Sequence, residues 1–338
     1  MDKPLIQDHL LFPNILWKRP VYMYKYQAGK VLILAGSRGM AGAAILCSEA
    51  AFRAGTGILL LGFPEGLKEI YKGILPEAMT LPLPQTPTGS LSLKSYDQIL
   101  EQVKSSDVVA IGPGLSKNSE TVQLIWQLFF EIKKPIILDA EGLGAISLGS
   151  KVIKKVKTAK DVFSYLLKRK FPTVVTPHSG EMFRLLLSVD QKIFDKKKLS
   201  TEYIDKNKLE IASKVADLFN FIVVLKGHET VIIQPSKLKQ GLIGKLSRAP
   251  WTNIVVNKTG GPALATAGTG DVLTGIIASF VAQNPKNIFE AVSTAVYLHG
   301  LAGDIAASKI GERSLVASDV IKYLPSAIKK AEEEIERR

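Results

Sequence analysis

The chain has little cysteine, no long hydrophobic run and no metal-ligand spacing, and each shortage removes a class of protein. Its 338 residues include one cysteine, Cys47, so no disulfide framework forms within the chain. Lying in an apolar helical pattern, Cys47 reads as a small core residue. The four histidines, His9, His178, His228 and His299, are far apart, and none belongs to a Cys-x-x-Cys or His-x-x-x-His pattern. No residue is nominated as a metal ligand on that basis. The longest apolar runs, such as Ile58 to Phe63 and Ile276 to Ala282, are too short to span a bilayer. Met1-Asp-Lys-Pro lacks a basic region followed by an apolar run, so no signal peptide is read and a soluble, cytoplasmic protein with no membrane partner is expected. Gly-x-x-x-x-Gly-Lys-Ser/Thr occurs nowhere, which excludes a P-loop at motif level.

Basic residues outnumber acidic ones, 44 Lys and Arg against 31 Asp and Glu, for a net charge of +13. The lysines are dispersed or gathered at Lys151–Lys160, Lys168–Lys170 and Lys196–Lys198, with no arginine stripe and no nucleic-acid module. A basic solvated surface with some attraction for anionic substrates is expected, and no nucleic-acid partner. Hydrophobic content of 46% and charged content of 22% describe a globular core.

Strand and helix patterns alternate from Lys30 to Phe280 without a compositional linker. The expectation is one α/β domain, 29–338, with a central, mostly parallel sheet flanked by helices on both faces. Residues 1–28, with Trp17, Tyr22, Tyr24 and Tyr26, read as an N-terminal arm packing on the domain or on a neighbouring subunit, and a homo-oligomer is expected. Lys30–Ala35 is a continuous apolar run and reads as a strand covered on both faces. Gly36, Gly39 and Gly42 follow, then a small-residue helix from about Ala43 to Ala54 and a strand, Ile58–Gly62. Their Gly-x-x-Gly-x-x-Gly spacing is not the dinucleotide fingerprint, and no acid ends the second strand, which disfavours a Rossmann NAD site.

Pro76 to Ser90 reads as an extended connection. Asp107–Gly112 reads as a strand ending in a Pro113-Gly114 turn, and Pro135–Asp139 as a strand ending on an acid. That Asp139 is either a ligand contact at the sheet's edge or a helix cap. Lys151–Lys170 reads as an insertion, helical in its second half, and 189–208 as a polar surface excursion. Thr173–Thr176 and Phe221–Leu225 read as strands, Val231–Gln234 as a hairpin partner, and Ile288–Ser308 and Val316–Arg338 as helices.

One stretch organises the rest, Asn257 to Gly275, which passes at Asp271 into the apolar run Val272–Ala282. Gly268 and Gly270 let the backbone approach a ligand, and the helix start that follows is an anion site. Asp271 at that start suits an N-cap or a base that takes a hydroxyl's proton. Taken alone, Gly-x-Gly-Asp is an ordinary capped turn. The argument is co-location: the turns 36–42, 112–116, 176–181 and 226–230 follow strand C-termini and converge on one edge with Gly268–Asp271. Lys226-Gly-His-Glu-Thr230 is either a nucleotide contact or a plain hairpin, and His178 either a substrate contact or a helix-starting histidine. His299 reads as a packed core histidine.

Leu225-Lys-Gly-His-Glu-Thr230 followed by Ala265-Thr-Ala-Gly-Thr-Gly-Asp-Val-Leu-Thr-Gly275 resembles the paired signature of the ADP/ATP-dependent NAD(P)H-hydrate dehydratases of the ribokinase-like superfamily. Thr176–Glu181, Gly112–Leu115, Gly42–Ile45 and Leu298–Gly303 resemble that family's other blocks in its order, and the likeness runs from about Gln27 to Leu324. It implies a ribokinase-like fold and nucleotide-dependent conversion of (S)-NAD(P)H hydrate to NAD(P)H, by phosphorylation of the hydrate hydroxyl and loss of phosphate. By resemblance, Ala43, Gly114, His178 and Asp271 contact the hydrate, and Lys226, Gly227, His228, Glu229, Thr230 and Gly270 the adenine nucleotide. Asp271 is the base, and the N–H groups of Gly268, Thr269 and Gly270 form the anion hole. Magnesium, with ADP or ATP as co-substrate, is implied as for other phosphoryl transfers. Bacterial members often carry an N-terminal epimerase domain, and the roughly 30 residues ahead of Lys30 are too few to hold one; dehydratase activity alone is expected. The rivals are a superfamily kinase of a small alcohol or vitamin precursor and a non-catalytic nucleotide binder.

Overall fold

The structure, a computed structural model, describes residues 3–153, 158–189, 194–236 and 253–337. Its centre is one ten-stranded sheet. The strands are β1 (Leu5–Gln7), β2 (Lys30–Leu34), β3 (Ile58–Pro64), β4 (Met79–Leu83), β5 (Val108–Ile111), β6 (Ile136–Leu138), β7 (Thr173–Val175), β8 (Ile222–Leu225), β9 (Val231–Ile233) and β10 (Ile254–Asn257). They lie in the order β1-β10-β9-β8-β7-β6-β5-β2-β3-β4. Only β9 runs against the others, pairing antiparallel with both β8 and β10. The C-terminal ends of all the other strands therefore share one edge. The order reverses between β2 and β5, where open α/β sheets bind ligands.

Among the described residues twelve α-helices cover the sheet: α1 (Ala41–Arg53), α2 (Lys68–Tyr71), α3 (Tyr96–Lys104), α4 (Ser119–Glu131), α5 (Ala140–Val152), α6 (Ala159–Leu166), α7 (Ser179–Ser188), α8 (Thr201–Lys206), α9 (Lys208–Phe219), α10 (Thr269–Gln283), α11 (Ile288–Ile310) and α12 (Ala317–Glu336). Strand residues alternate between two cores. Val31, Ile33, Leu59, Leu61, Val108 and Ala110 face α1, α10, α11 and α12. Leu32, Leu34, Leu60, Val109, Ile111 and Leu138 face the layer containing α4, α5, α7 and α9. With both faces covered, the strands read as unbroken apolar runs, and each fully buried aliphatic contributes roughly 1.5–3 kcal/mol. This is the expected three-layer α/β architecture.

Several local readings change. Pro76–Ser90 contains β4, a parallel neighbour of β3. Its Pro82 and half-exposed pattern hide the strand in sequence, and proline is tolerated there because β4 is at the sheet's edge. β10 had no counterpart in the sequence reading, and β1 joins it in parallel from the N-terminal residues; Leu10, Phe12 and Ile15 pack into the first core, whereas Tyr22, Tyr24 and Tyr26 are exposed. Lys151 belongs to α5 and the second half of the lysine-rich segment is α6, while 154–157 lie outside the described residues. Arg169, within that basic segment, is not solvated. Its guanidinium is buried and donates to the carbonyls of Phe129, Ile132 and Lys134 at 2.6–2.8 Å and to Thr173 Oγ1 at 2.7 Å. Between 189 and 208, the supposed surface excursion buries Phe194, Leu199 and Ile204 in the second core; 190–193 lie outside the described residues, as do 237–252.

Candidate active site

The site begins with α10. Gly268 is its N-cap with φ +91°, a left-handed conformation glycine adopts without strain. Thr269 anchors the turn, its Oγ1 lying 2.9 Å from the Leu264 carbonyl and 3.0 Å from that of Thr266. The side chain is thereby held by the turn, which leaves its N–H, and first-turn N–H groups have no partner within the helix. α10 lies directly on α1 because residue 275 is glycine: a Cβ there would stand 2.1 Å from the Cys47 carbonyl oxygen.

Asp271 sits in the first turn of α10. Among the described residues its half-buried carboxylate has no hydrogen-bond partner. Burial first, and then the neighbouring Asp139 charge, push its pKa up from 3.8 to about 7, against the pull of Lys226; Glu181 adds to the rise. A carboxylate poised near neutrality is suited to accept a proton.

Behind it lies a charged cluster drawn from three turns. Lys226, just after β8, reaches Asp139 Oδ1 at 2.8 Å and Glu181 Oε2 at 3.8 Å. Burial opposes the Lys226 charge, but Asp139 and Glu181 more than offset it and raise the pKa. Asp139 also accepts from Thr176 Oγ1 at 2.7 Å. It occupies the N-cap position of α5 without capping it, so the helix-cap reading of Asp139 gives way. From sequence Asp139 stays open between a ligand contact and a helix cap, and Glu181 has no role of its own; their signal is an acid at a strand's C-terminal edge and one three residues after His178.

The remaining expected residues arrange around this centre. His178 is the N-cap of α7: its Nδ1 accepts from Gly180 N at 3.0 Å while Glu181 Oε2 accepts from His178 N at 2.9 Å. Its Nε2 edge is exposed at the cleft, 3.7 Å from Glu181 Oε1. Gly114 has φ +63°, and Ala43 Cβ lies 2.9 Å from where its Cβ would be; the two turns are tied by Gly36 N to Pro113 O at 2.8 Å. Lys226 N donates to Pro177 O at 2.8 Å, joining turn 226–230 to turn 176–181. In turn 226–230, Lys208 Nζ donates to His228 O at 2.7 Å and Thr230 Oγ1 to Gly227 O at 3.1 Å. Glu229 pairs with Lys258, and the His228 side chain is exposed.

Beside α10 a cavity of about 610 Å³ is lined by Thr230, Thr259, Gly260, Leu264, Gly270 and His299 among others. Asp304 braces one wall, accepting from Gly260 N at 3.0 Å and Gly261 N at 3.1 Å. His299 is buried as expected, yet it also faces this cavity and its Nε2–H donates to Thr269 O at 3.0 Å. Burial lowers its pKa to about 4, so it is neutral at pH 7. A second groove of about 990 Å³ meets the first at Lys226, Gly227 and His228 and is lined by Lys206 and Lys208.

A carboxylate at an N–H-lined helix start, beside a lysine at the sheet's C-terminal edge, defines with this topology a ribokinase-like protein. Comparison with known proteins narrows the class. The family model described as NAD(P)H-hydrate dehydratase matches residues 31–326. The ADP-dependent (S)-NAD(P)H-hydrate dehydratase of Bacillus subtilis is 31% identical over 317 residues, 93% of this chain and 94% of that protein. The bifunctional NAD(P)H-hydrate repair enzyme Nnr of Moorella thermoacetica is 37% identical over 319 residues, 94% of this chain but 53% of its own length. The chain thus spans about half the length of the bifunctional relatives it matches. The crystal structure of the Bacillus subtilis ADP/ATP-dependent NAD(P)H-hydrate dehydratase, co-crystallised with ATP/Mg2+, superposes with a TM-score of 0.71 at 26% identity, covering 98% of this chain and 99% of that one. A ribokinase-like protein from Enterococcus faecalis gives 0.71 at 26%, covering 96% of each chain. The chain belongs to the NAD(P)H-hydrate dehydratase family.

Proposed function

We propose that this protein uses ADP or ATP to dehydrate (S)-NAD(P)H hydrate back to NAD(P)H. The observation that carries the reading is Asp271, an acid without a side-chain bond among the described residues, raised to about pH 7 at an N–H-lined helix start. The adenine nucleotide occupies the cavity beside Gly270 and Thr230, its phosphates toward the start of α10 and Lys226. The hydrate lies over Ala43, Gly114 and His178. Asp271 accepts the proton of the hydrate hydroxyl as that oxygen bonds to the terminal phosphorus and the nucleotide's P–O bond breaks. The N–H groups of Gly268 to Gly270 and the Lys226 ammonium hold the charge that develops on the phosphoryl oxygens. The ring C–O bond then breaks, phosphate leaves, and the adjacent C–H pair closes the double bond as its proton departs.

Among the described residues no group of three His, Cys, Asp or Glu side chains could hold a metal ion. Asp139 is taken by Lys226 and Thr176. In this reading magnesium enters on the nucleotide phosphates, as that ion commonly does. The same proposal takes 29–338 as the dehydratase domain and 1–28 as its arm, supported by the β1–β10 pairing. It also takes the exposed Tyr22, Tyr24 and Tyr26 as surface for self-association. No helix among the described residues is long and apolar enough to cross a membrane, and a cytoplasmic location free of nucleic acid completes the proposal.

The test is recovery of NADH absorbance from chemically hydrated NADH with magnesium and ADP or ATP. Nucleotide-dependent recovery with matching phosphate release supports the reading. Nucleotide binding without recovery overturns it in favour of a small-alcohol kinase.

A further inference from the structure

The Asp139 carboxylate is a buried charge that the proposed chemistry does not use. An aspartate at an N-cap normally accepts from the next helical N–H groups. Here that bond is absent. The backbone is bent to match: Ala140, the first residue of α5, is a non-glycine residue at φ +45°, a conformation that alanine adopts only under constraint. The carboxylate points instead across the sheet's edge, to Lys226 Nζ at 2.8 Å and Thr176 Oγ1 at 2.7 Å, and is 2% exposed. The point at which it holds the ammonium is informative. A Cβ on Gly270 would lie 3.4 Å from Lys226 Nζ and 4.0 Å from Asp139 Oδ2. The lysine is thus fixed against the glycine of the turn, with no side chain between the ammonium and the N–H groups that receive phosphate.

Resting on the dehydratase reading for the role of that turn, we propose that Asp139 is a positioning residue, its buried carboxylate turned from its own helix to hold the Lys226 ammonium against Gly270 at the phosphate end of the cleft. Thr176 fixes the carboxylate from below, and Glu181 is the more distant second acceptor, at 3.8 Å. A lysine carries a flexible four-carbon stem; with Asp139 removed, the ammonium is free to swing toward Glu181 or Asp271. The charged and titratable groups around Asp271 are Asp139 from the β6–α5 turn, Lys226 after β8, Glu181 on α7, His299 on α11 and Cys47 on α1.

The experiment compares wild type with Asp139→Asn, Lys226→Met and the double variant. For Asp139→Asn, calorimetry with ADP and with ATP should show binding as tight as wild type or tighter, because one negative charge has left a polyanion site. Turnover should fall by on the order of tenfold, the scale of coupling within one charged network. The acidic limb of kcat/KM should move to lower pH, since both the loss of Asp139 and the freed ammonium favour ionised Asp271. In the Lys226→Met background, Asp139→Asn should cost nothing further. Weakened nucleotide binding with an unmoved acidic limb would assign Asp139 to the fold alone, and additive losses would show that it does not act through Lys226; either result overturns the proposal. The binding arm requires no turnover. Protons taken up on nucleotide binding near pH 7 should vanish in Asp271→Asn and move to lower pH in Asp139→Asn. A wild type that binds nucleotide with this uptake but does not convert hydrate would sink the dehydratase reading and leave the positioning role standing. Uptake unchanged by Asp139→Asn would sink the positioning role.

Discussion

Replacing Asp271 by asparagine should make the protein more stable while disabling it. Its carboxyl titrates at about 7 in the folded chain against an ordinary 3.8, chiefly because burial disfavours the charged form. A folded-state pKa raised in this way contributes stability that is complete below pH 4 and lost as pH rises through 7. At 1.36 kcal/mol per pH unit the difference sets a ceiling of about 4 kcal/mol. Asp271 is only half-buried, so solvent screening brings this to about 2 kcal/mol. Loss of a carboxylate from the first turn of a helix returns roughly 0.5 kcal/mol. The net expectation at pH 8 is about 1.5 kcal/mol in favour of Asp271→Asn. For a chain of 338 residues, unfolding entropies of about 2.1 cal/mol/K per residue turn this into a melting-temperature rise of about 2 °C. At pH 3, below both the folded and the ordinary pKa, the carboxyl is neutral in both states and the two proteins should unfold at the same urea concentration. Turnover of the variant should fall by a factor of ~100 to ~10,000, the usual cost of a lost general base. Equal stability at pH 8, or a gap that persists at pH 3, would refute the claim that the carboxylate is held at an energetic cost.

Three other perturbations separate the parts of the site. Gly114→Ala places a Cβ 2.5 Å from the Met40 carbonyl oxygen at φ +63°, so the turn beside Ala43 must shift; kcat/KM for the hydrate should drop by on the order of 100-fold with nucleotide affinity retained, as titration calorimetry would show. Asp304→Ala leaves Gly260 and Gly261 N–H without their acceptor, and the nucleotide KM should rise about fivefold, equivalent to roughly 1 kcal/mol, at unchanged kcat. Arg169→Met removes the donor to three carbonyls far from the cleft; urea unfolding should show a loss of about 3 kcal/mol with kcat preserved, and a fall in kcat would connect this corner to the site.

The parts of the site that read from sequence are those whose physics is local. Gly268, Gly270 and Asp271 stand within four positions of one another, and a glycine turn entering an apolar helix has one structural meaning wherever it occurs. The layers were legible for the same reason: residues 31–34 and Ile222–Leu225 are unbroken apolar runs because both faces of the sheet are covered. Asp139 and Lys226 are 87 positions apart, and nothing near either residue announces the other. Their pairing exists only once β6, β7 and β8 lie side by side. Strand β4 escaped because it is only partly buried and Pro82 interrupts its pattern, and β1 because its three residues stand in a mixed N-terminal stretch. Arg169 was read as solvated because its neighbours in sequence are lysines, although in space its neighbours are carbonyls.

The central claim is that the hydrate hydroxyl itself is phosphorylated before it leaves. Hydrate prepared in heavy-oxygen water carries the label on that hydroxyl, and mass spectrometry of the released inorganic phosphate after turnover with unlabelled nucleotide follows its fate. If Asp271 deprotonates the hydroxyl for attack on the terminal phosphate, the heavy oxygen must appear in the phosphate, one atom for each NAD(P)H formed. Phosphate free of label, with the heavy oxygen in the solvent, would mean that the hydroxyl departs without ever bonding to phosphorus, and would contradict the account.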